Sequence, residues 1–319
     1  MSAERHLPVL LAEVIAGLAP ADGEVYVDAT FGAGGYSQAI LDGADCRVIA
    51  LDRDPDAVAE GAPLQEASAG RLALRQARFS EMERALAAEG VDAVNGVAFD
   101  LGVSSMQLDR GERGFAFSKD GPLDMRMSRS GQTAADVVNR ASEHVLADIF
   151  YLYGGERRAR QVARAVVEAR DAAPLKRTAE LAEVVARVIP RSGRIHPATQ
   201  TFQALRIYVN SELDELRLGL RAAERVLAPE GRLAVVSFHS LEDREVKRFL
   251  DARCGAVGGT HRHLPARETT KAPVTFRLPR RGAIKPSGSE VKGNPRARSA
   301  RLRIAVRTDV PAPAEEVAA

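Results

Sequence analysis

Three short stretches carry side chains suited to chemistry, and each follows a strand-like run. The first is Asp28-Ala-Thr-Phe-Gly-Ala-Gly-Gly-Tyr36, where strand preference ends at Asp28 and a helical pattern opens at Tyr36. A glycine turn between strand and helix lets the backbone approach a ligand and points amide donors at it. The second is Asp52, which closes the apolar run Cys46–Leu51 18 residues beyond Gly34. An acid there can grip both hydroxyls of a ribose. The third is Asp100-Leu-Gly-Val-Ser-Ser-Met-Gln107, where Asp100, Ser104, Ser105 and Gln107 offer oxygens and amides at another strand end. A fourth candidate, Ser237-Phe-His-Ser-Leu-Glu-Asp243, holds His239, with Ser240 and Asp243 spaced to cap a following helix.

A glycine loop with a ribose-gripping acid admits a dinucleotide or S-adenosylmethionine. The dinucleotide fingerprint needs a small last residue, and Ser37 fills that slot immediately after bulky Tyr36. Asp28 would repel a pyrophosphate but could hold the ammonium of a methionine moiety. The pattern therefore favours S-adenosyl-L-methionine, with an NAD-binding oxidoreductase as the alternative.

These loops need a scaffold. Strand patterns near 25–28, 47–51, 72–76 and 94–100 alternate with helical ones, which predicts βαβ units and a parallel sheet. Asp54-Pro55 should start one helix and Ser80–Glu83 cap another. After Asp100 the alternation stops, and helical patterns run near 134–152, 155–172 and 178–189. On the second of these Arg157, Arg160 and Arg164 share one face and Val162, Val166 and Ala169 the other. Apolar steps of three and four from Phe202 to Leu227 predict one long helix before the strand Arg232–Phe238. Val274–Leu278 and Arg301–Val306 suit a closing hairpin. The expected architecture is α/β: a Rossmann-like sheet in two parts, 1–105 and 199–308, with an inserted helical substrate-recognition domain, 106–198, and a disordered tail, 309–319.

Charge is uneven. Residues 261–308 hold thirteen Lys or Arg against two acids, and residues 153–194 hold ten against five, in a chain of net charge only +2. Such concentrated positive charge points to a polyanionic partner. No membrane-spanning run or signal-peptide core is evident and two lone cysteines make no disulfide framework, so a cytoplasmic protein is expected, monomer or homodimer. His261 and His263 beyond Cys254 make too loose a set for a metal, and none is expected.

The chain resembles the MraW family of small-subunit ribosomal RNA methyltransferases. The likeness is carried by His6-Leu-Pro-Val-Leu-Leu, Asp28-Ala-Thr-Phe-Gly-Ala-Gly-Gly, Asp52-Arg-Asp-Pro and Asp100-Leu-Gly-Val-Ser-Ser. It continues through Arg113-Gly-Phe-Ala-Phe, Asp120-Gly-Pro-Leu-Asp-Met-Arg126, His196-Pro-Ala-Thr-Gln-Thr-Phe-Gln-Ala-Leu-Arg206, Ser237–Asp243 and Asn294-Pro-Arg-Ala-Arg-Ser. The resemblance implies methylation at N4 of a decoding-centre (P-site) cytidine in 16S rRNA of the small ribosomal subunit. It implies cofactor contacts at Gly34, Gly35, Tyr36, Asp52, Phe79, Asp100 and Gln107, with Phe79 against the adenine face. Two positions depart from the family pattern: Tyr36 stands where many members have histidine, and Met106 where proline is common. Asp100 is the expected orienting group, assisted by Ser104, Ser105 or His239. The target base must be splayed out and stacked, with Phe238 and His239 as candidates, while Arg157, Arg160 and Arg164 grip phosphates. A non-enzymatic ribosome assembly factor that retains the pocket is the rival from another class.

Overall fold

Seven strands form one sheet in the order β3–β2–β1–β4–β5–β7–β6. They are β1 (Val25–Asp28), β2 (Arg47–Asp52), β3 (Leu72–Gln76), β4 (Val94–Asp100), β5 (Leu227–Ser237), β6 (Phe276–Arg277) and β7 (Arg301–Arg307). The computed structural model describes residues 8–190, 196–255 and 273–313. β1 to β5 are parallel, and β7 enters antiparallel between β5 and β6. The expected hairpin is thus present, with β7 also pairing β5.

Alternate residues of each central strand feed different cores, as a sheet covered on both faces requires. Val27, Ile49, Val97, Phe99, Leu233 and Val235 join Leu216, Leu220 and Leu250 on one face. Tyr26, Val48, Ala50, Ala98, Ala234 and Val236 join Val14, Leu18 and Ile40 on the other. Asp54 caps the Pro55–Ala67 helix as expected, accepting from Asp56 N at 3.1 Å. Ser80 does not cap its helix. Its N–H is taken by Glu215 Oε1 at 3.0 Å, and a short turn, Phe79–Glu81, precedes the Met82–Ala88 helix.

Two compact units divide after Gly102 and after Glu212, so residues 103–212 form the helical unit. From the sequence, residues 199–212 were expected with the sheet. The cause is a break in the long predicted helix: it is two helices, Thr199–Asn210 and Glu212–Val226, parted by Ser211 in a left-handed conformation at φ 49°. Phe202 and Leu205 are buried in the core of the helical unit, and Leu216 and Leu220 under the sheet. The pattern predicted over 134–152 is likewise two helices, Ala134–Arg140 and Glu143–Gly154, with Ser142 capping the second.

Helices Ala159–Ala172 and Thr178–Val188 complete the helical unit, whose core includes Val137, Phe150, Val162, Val166 and Leu181. A loop crosses its interior. Asn210 clamps that loop, donating to Met125 O at 2.7 Å and accepting from Met127 N at 2.8 Å. Buried Arg113 donates to the carbonyls of Arg126 and Met127, each at 3.0 Å. Arg113 and the alternate residues Gly121, Leu123 and Met125 of the Asp120–Arg126 motif are therefore buried in this unit. Among the described residues no helix is long and apolar enough to cross a membrane.

Candidate active site

The strand order reverses between β1 and β4, and ligands of open α/β sheets lie in the crevice at the carboxyl ends beside such a reversal. Asp28, Asp52 and Asp100 end β1, β2 and β4. The glycine loop is stitched to all three. Thr30 Oγ1 accepts from Asp100 N at 2.6 Å, and Phe31 N donates to Leu51 O at 2.8 Å. Asp52 accepts from Gly32 N and Asp54 N, each at 2.8 Å, one per carboxylate oxygen. A second lone pair on each oxygen remains for a diol.

Gly34 sits at φ 79° ahead of the Gly35–Gly43 helix, where an added Cβ would come within 2.8 Å of both Leu64 and Phe31. A Cβ on Gly35 would meet Pro8 at 2.1 Å. The first helical turn leaves N–H groups without intrahelical partners, and that of Ser37 goes to Asp28. Tyr36 is buried with its hydroxyl on Val9 O, and burial raises its pKa well above the tyrosine norm. Its side chain is a structural tie, leaving the backbone as the part that can meet a ligand.

Asp28 takes a role that sequence did not foresee. It is fully buried, and its oxygens accept from Thr30 N at 3.2 Å, Ser37 N at 3.1 Å and Ser37 Oγ at 2.7 Å. It fixes the start of the helix and is closed to an incoming ammonium. Burial also raises its pKa, against the lowering effect of the Ser37 hydroxyl.

Asp100 contrasts with it. Its Oδ1 is shut off from solvent and has no hydrogen-bond partner among the described residues. Burial first, then the charges of Asp28 and Glu242, push its pKa up to about 8. Burial moves Asp52 less, to about 6, because the Asp54 and Gly32 N–H groups favour its charged form. No Lys or Arg among the described residues pairs with Asp28, Asp52 or Asp100. A crevice with this much unbalanced acid suits a cation and opposes a pyrophosphate.

Phe79 is half-buried just past β3. Its ring meets Phe99 edge-on at 5.4 Å, and Gly219 leaves the room it occupies. At the tip of β5, His239 rather than Ser240 caps the Ser240–Arg253 helix, its Nδ1 accepting from Glu242 N at 3.4 Å. Glu242 answers by accepting from Phe238 N at 2.8 Å and His239 N at 3.3 Å. Asp243 is drawn away to Arg301 and Arg303 at 2.9 and 2.7 Å. The nearest atoms to a Cβ on Gly102 belong to the Phe238 ring, at 3.7 Å.

The sheet unit thus carries Gly34, Gly35, Tyr36, Asp52, Phe79, Asp100, Phe238 and His239. Ser104, Ser105, Gln107, Arg157, Arg160 and Arg164 belong to the helical unit. There Ser104 caps the Ser105–Asp109 helix and exchanges hydrogen bonds with Gln107 at 3.1 and 3.2 Å. The three arginines are exposed, with Arg164 3.7 Å from Glu143. Thr30 and Glu242 shape the crevice but were not singled out from sequence, their only signal being a polar residue near a strand end; Ser37 was noted only for its slot in the glycine pattern. His261 and His263 lie outside the described residues.

A model of the MraW methylase family matches residues 3–308. The chain belongs to this family. It is 58% identical over 313 residues to the ribosomal RNA small subunit methyltransferase H of Paramagnetospirillum magneticum, covering 98% of each chain. The protein of the same name from Bradyrhizobium diazoefficiens is 59% identical over 313 residues, covering 98% of this chain and 94% of that one. Family membership accords with the sheet, whose order and antiparallel β7 make it the Rossmann-like class I methyltransferase fold.

Proposed function

We propose that this chain is an S-adenosylmethionine-dependent methyltransferase acting in the cytoplasm on N4 of a decoding-centre cytidine in 16S rRNA of the small ribosomal subunit. One observation carries the cofactor reading: the unpartnered Asp100 Oδ1 in an acidic crevice at the strand-order reversal. The names of the close relatives support the RNA substrate.

The residues present fit the cofactor. Asp52 would hold the ribose hydroxyls, Phe79 the adenine face, and Asp100 the sulfonium end. Gly34, Gly35 and the Tyr36 backbone would line the methionine moiety. Bound there, S-adenosylmethionine supplies an activated methyl group on a good leaving group. The protein's own task is then to align an exocyclic amine with that group and exclude water. An acceptor oxygen of Asp100 orients the amine and localises its lone pair, assisted by Ser104, Ser105 or His239. Phe238 and His239 stack the extruded base. No covalent intermediate is needed: Cys46 is buried beneath the sheet, and Cys254 follows the Ser240–Arg253 helix.

The test is labelled methyl transfer into small subunits from a methylation-deficient strain, with mass mapping of the product. Label on N4-methylcytidine at the decoding centre is expected; label on another nucleoside, or none, rejects the assignment.

Exposed Arg157, Arg160 and Arg164 are proposed to grip the RNA backbone. Changing all three to glutamine should weaken RNA binding and make the slope of log affinity against log salt shallower by about 2–3. Cofactor affinity should stay unchanged. Identical salt slopes for variant and wild type would remove these arginines from the interface.

A further inference from the structure

Asp100 differs from its acidic neighbours in having nothing to hold. Asp28 is committed to Thr30 and Ser37, and Asp52 to Gly32 and Asp54. Asp100 Oδ1 is enclosed without a partner. The titratable groups that act on it or sense it are Asp28 at the tip of β1, Glu242 in the first turn of the Ser240–Arg253 helix and Tyr36 in the first turn of the Gly35–Gly43 helix. No Lys or Arg among the described residues pairs with Asp100 or Asp28, while Glu242 lies 3.1 Å from the His239 Nε2 atom. A half-buried carboxyl with one oxygen shut off from solvent and acids beside it holds its proton more tightly than a free one, and an arriving cation loosens it.

We propose that Asp100 gives up its proton when a sulfonium enters the crevice and keeps it when the neutral thioether product does, so that the site tells fresh from spent cofactor by proton exchange. This rests on the S-adenosylmethionine reading above. On entry of the sulfonium the Asp100 O–H bond breaks and the proton leaves to water, so the enclosed charge is exchanged rather than increased. As the methyl–nitrogen bond forms, the electron pair of the methyl–sulfur bond stays on sulfur, and the positive charge moves to the amine. The Asp100 carboxylate then faces a neutral sulfur and a nitrogen with a proton to lose. It takes that proton, which restores the carboxyl of the free enzyme. Asp100 is therefore the proton acceptor of the transfer as well as the discriminating group. Its elevated pKa of about 8 accords with this assignment.

Glu242 is the positioning residue. It fixes the β5 tip through the Phe238 and His239 N–H groups, and its charge helps to hold the proton on Asp100. Glutamine at 242 retains an acceptor oxygen for those amides and removes the charge.

Calorimetric titration of the full chain, in buffers of different ionisation heat, tests the proposal without turnover. S-Adenosylmethionine and S-adenosylhomocysteine are titrated separately between pH 6 and 9. Both share the adenosyl and amino-acid ends, so ionisation of Asp52 cancels in the comparison. At pH 7, S-adenosylmethionine binding should expel about one proton more than S-adenosylhomocysteine binding, and the ratio of their affinities should rise about 50-fold from pH 6 to pH 8. Asp100→Asn should abolish the difference, and Glu242→Gln should move its midpoint to lower pH. Equal proton counts for the two ligands in the wild type overturn the proposal even if Asp100→Asn fails to fold. Failure of either ligand to bind would instead overturn the cofactor reading on which it rests.

Discussion

Asp100→Asn is expected to lower methyl transfer by about 10²- to 10³-fold at saturating cofactor and RNA, the range for losing a preorganised charge-stabilising group. Asparagine matches the shape of the protonated carboxyl that the free protein holds, so the fold should survive. What it cannot do is carry negative charge while positive charge moves from sulfur to nitrogen, or accept the departing proton. The loss should therefore fall on turnover and persist at any cofactor concentration. Initial rates of labelled methyl incorporation, with thermal denaturation to confirm folding, decide the matter. Wild-type turnover in this variant would sink the role assigned to Asp100.

Gly34→Val should cut cofactor affinity by at least about 100-fold, an effect on the scale of misplacing groups that position a ligand. At φ 79° the residue is left-handed, a conformation that costs an L-residue about 1–2 kcal/mol and disfavours β-branching further. The new Cβ would also come within 2.8 Å of the Leu64 and Phe31 side chains. Relieving that overlap shifts the loop whose Gly32 N–H anchors Asp52, so the Asp52 carboxylate and the helix N-terminus move together. Gly23→Ala is the control: Gly23 has a similar φ of 77° but open space around it. That variant should lose stability only and bind cofactor normally. Normal cofactor binding by Gly34→Val would show that the glycine loop is not part of the site.

The strands were legible because each packs on both faces, so β-branched and apolar residues accumulate in runs that stop at a polar tip. The tips themselves, Asp28, Asp52 and Asp100, stood out as acids where such a run ends. Helix limits were less legible. Apolar residues step by three and four straight through Ser211, since that periodicity reports a buried stripe and says nothing of which core buries it. Caps failed where a distant partner competed. Asp243 suits the reach-back of a capping box until Arg301 and Arg303, far along the chain, claim its carboxylate; Glu242 reaches back instead and His239 takes the cap from Ser240.

Sequence alone determined the α/β architecture, the family and the acids at the strand tips, because periodicity and short motifs are local properties of the chain. Only the tertiary structure decided how those acids differ. Asp28 is buried and held by Thr30 and Ser37, Asp52 is anchored by two backbone N–H groups, and Asp100 is half-buried with one enclosed oxygen left over. Enclosure, neighbouring charge and missing partners depend on segments far apart in the chain meeting at one edge of the sheet, and those meetings give three similar carboxylates three different environments.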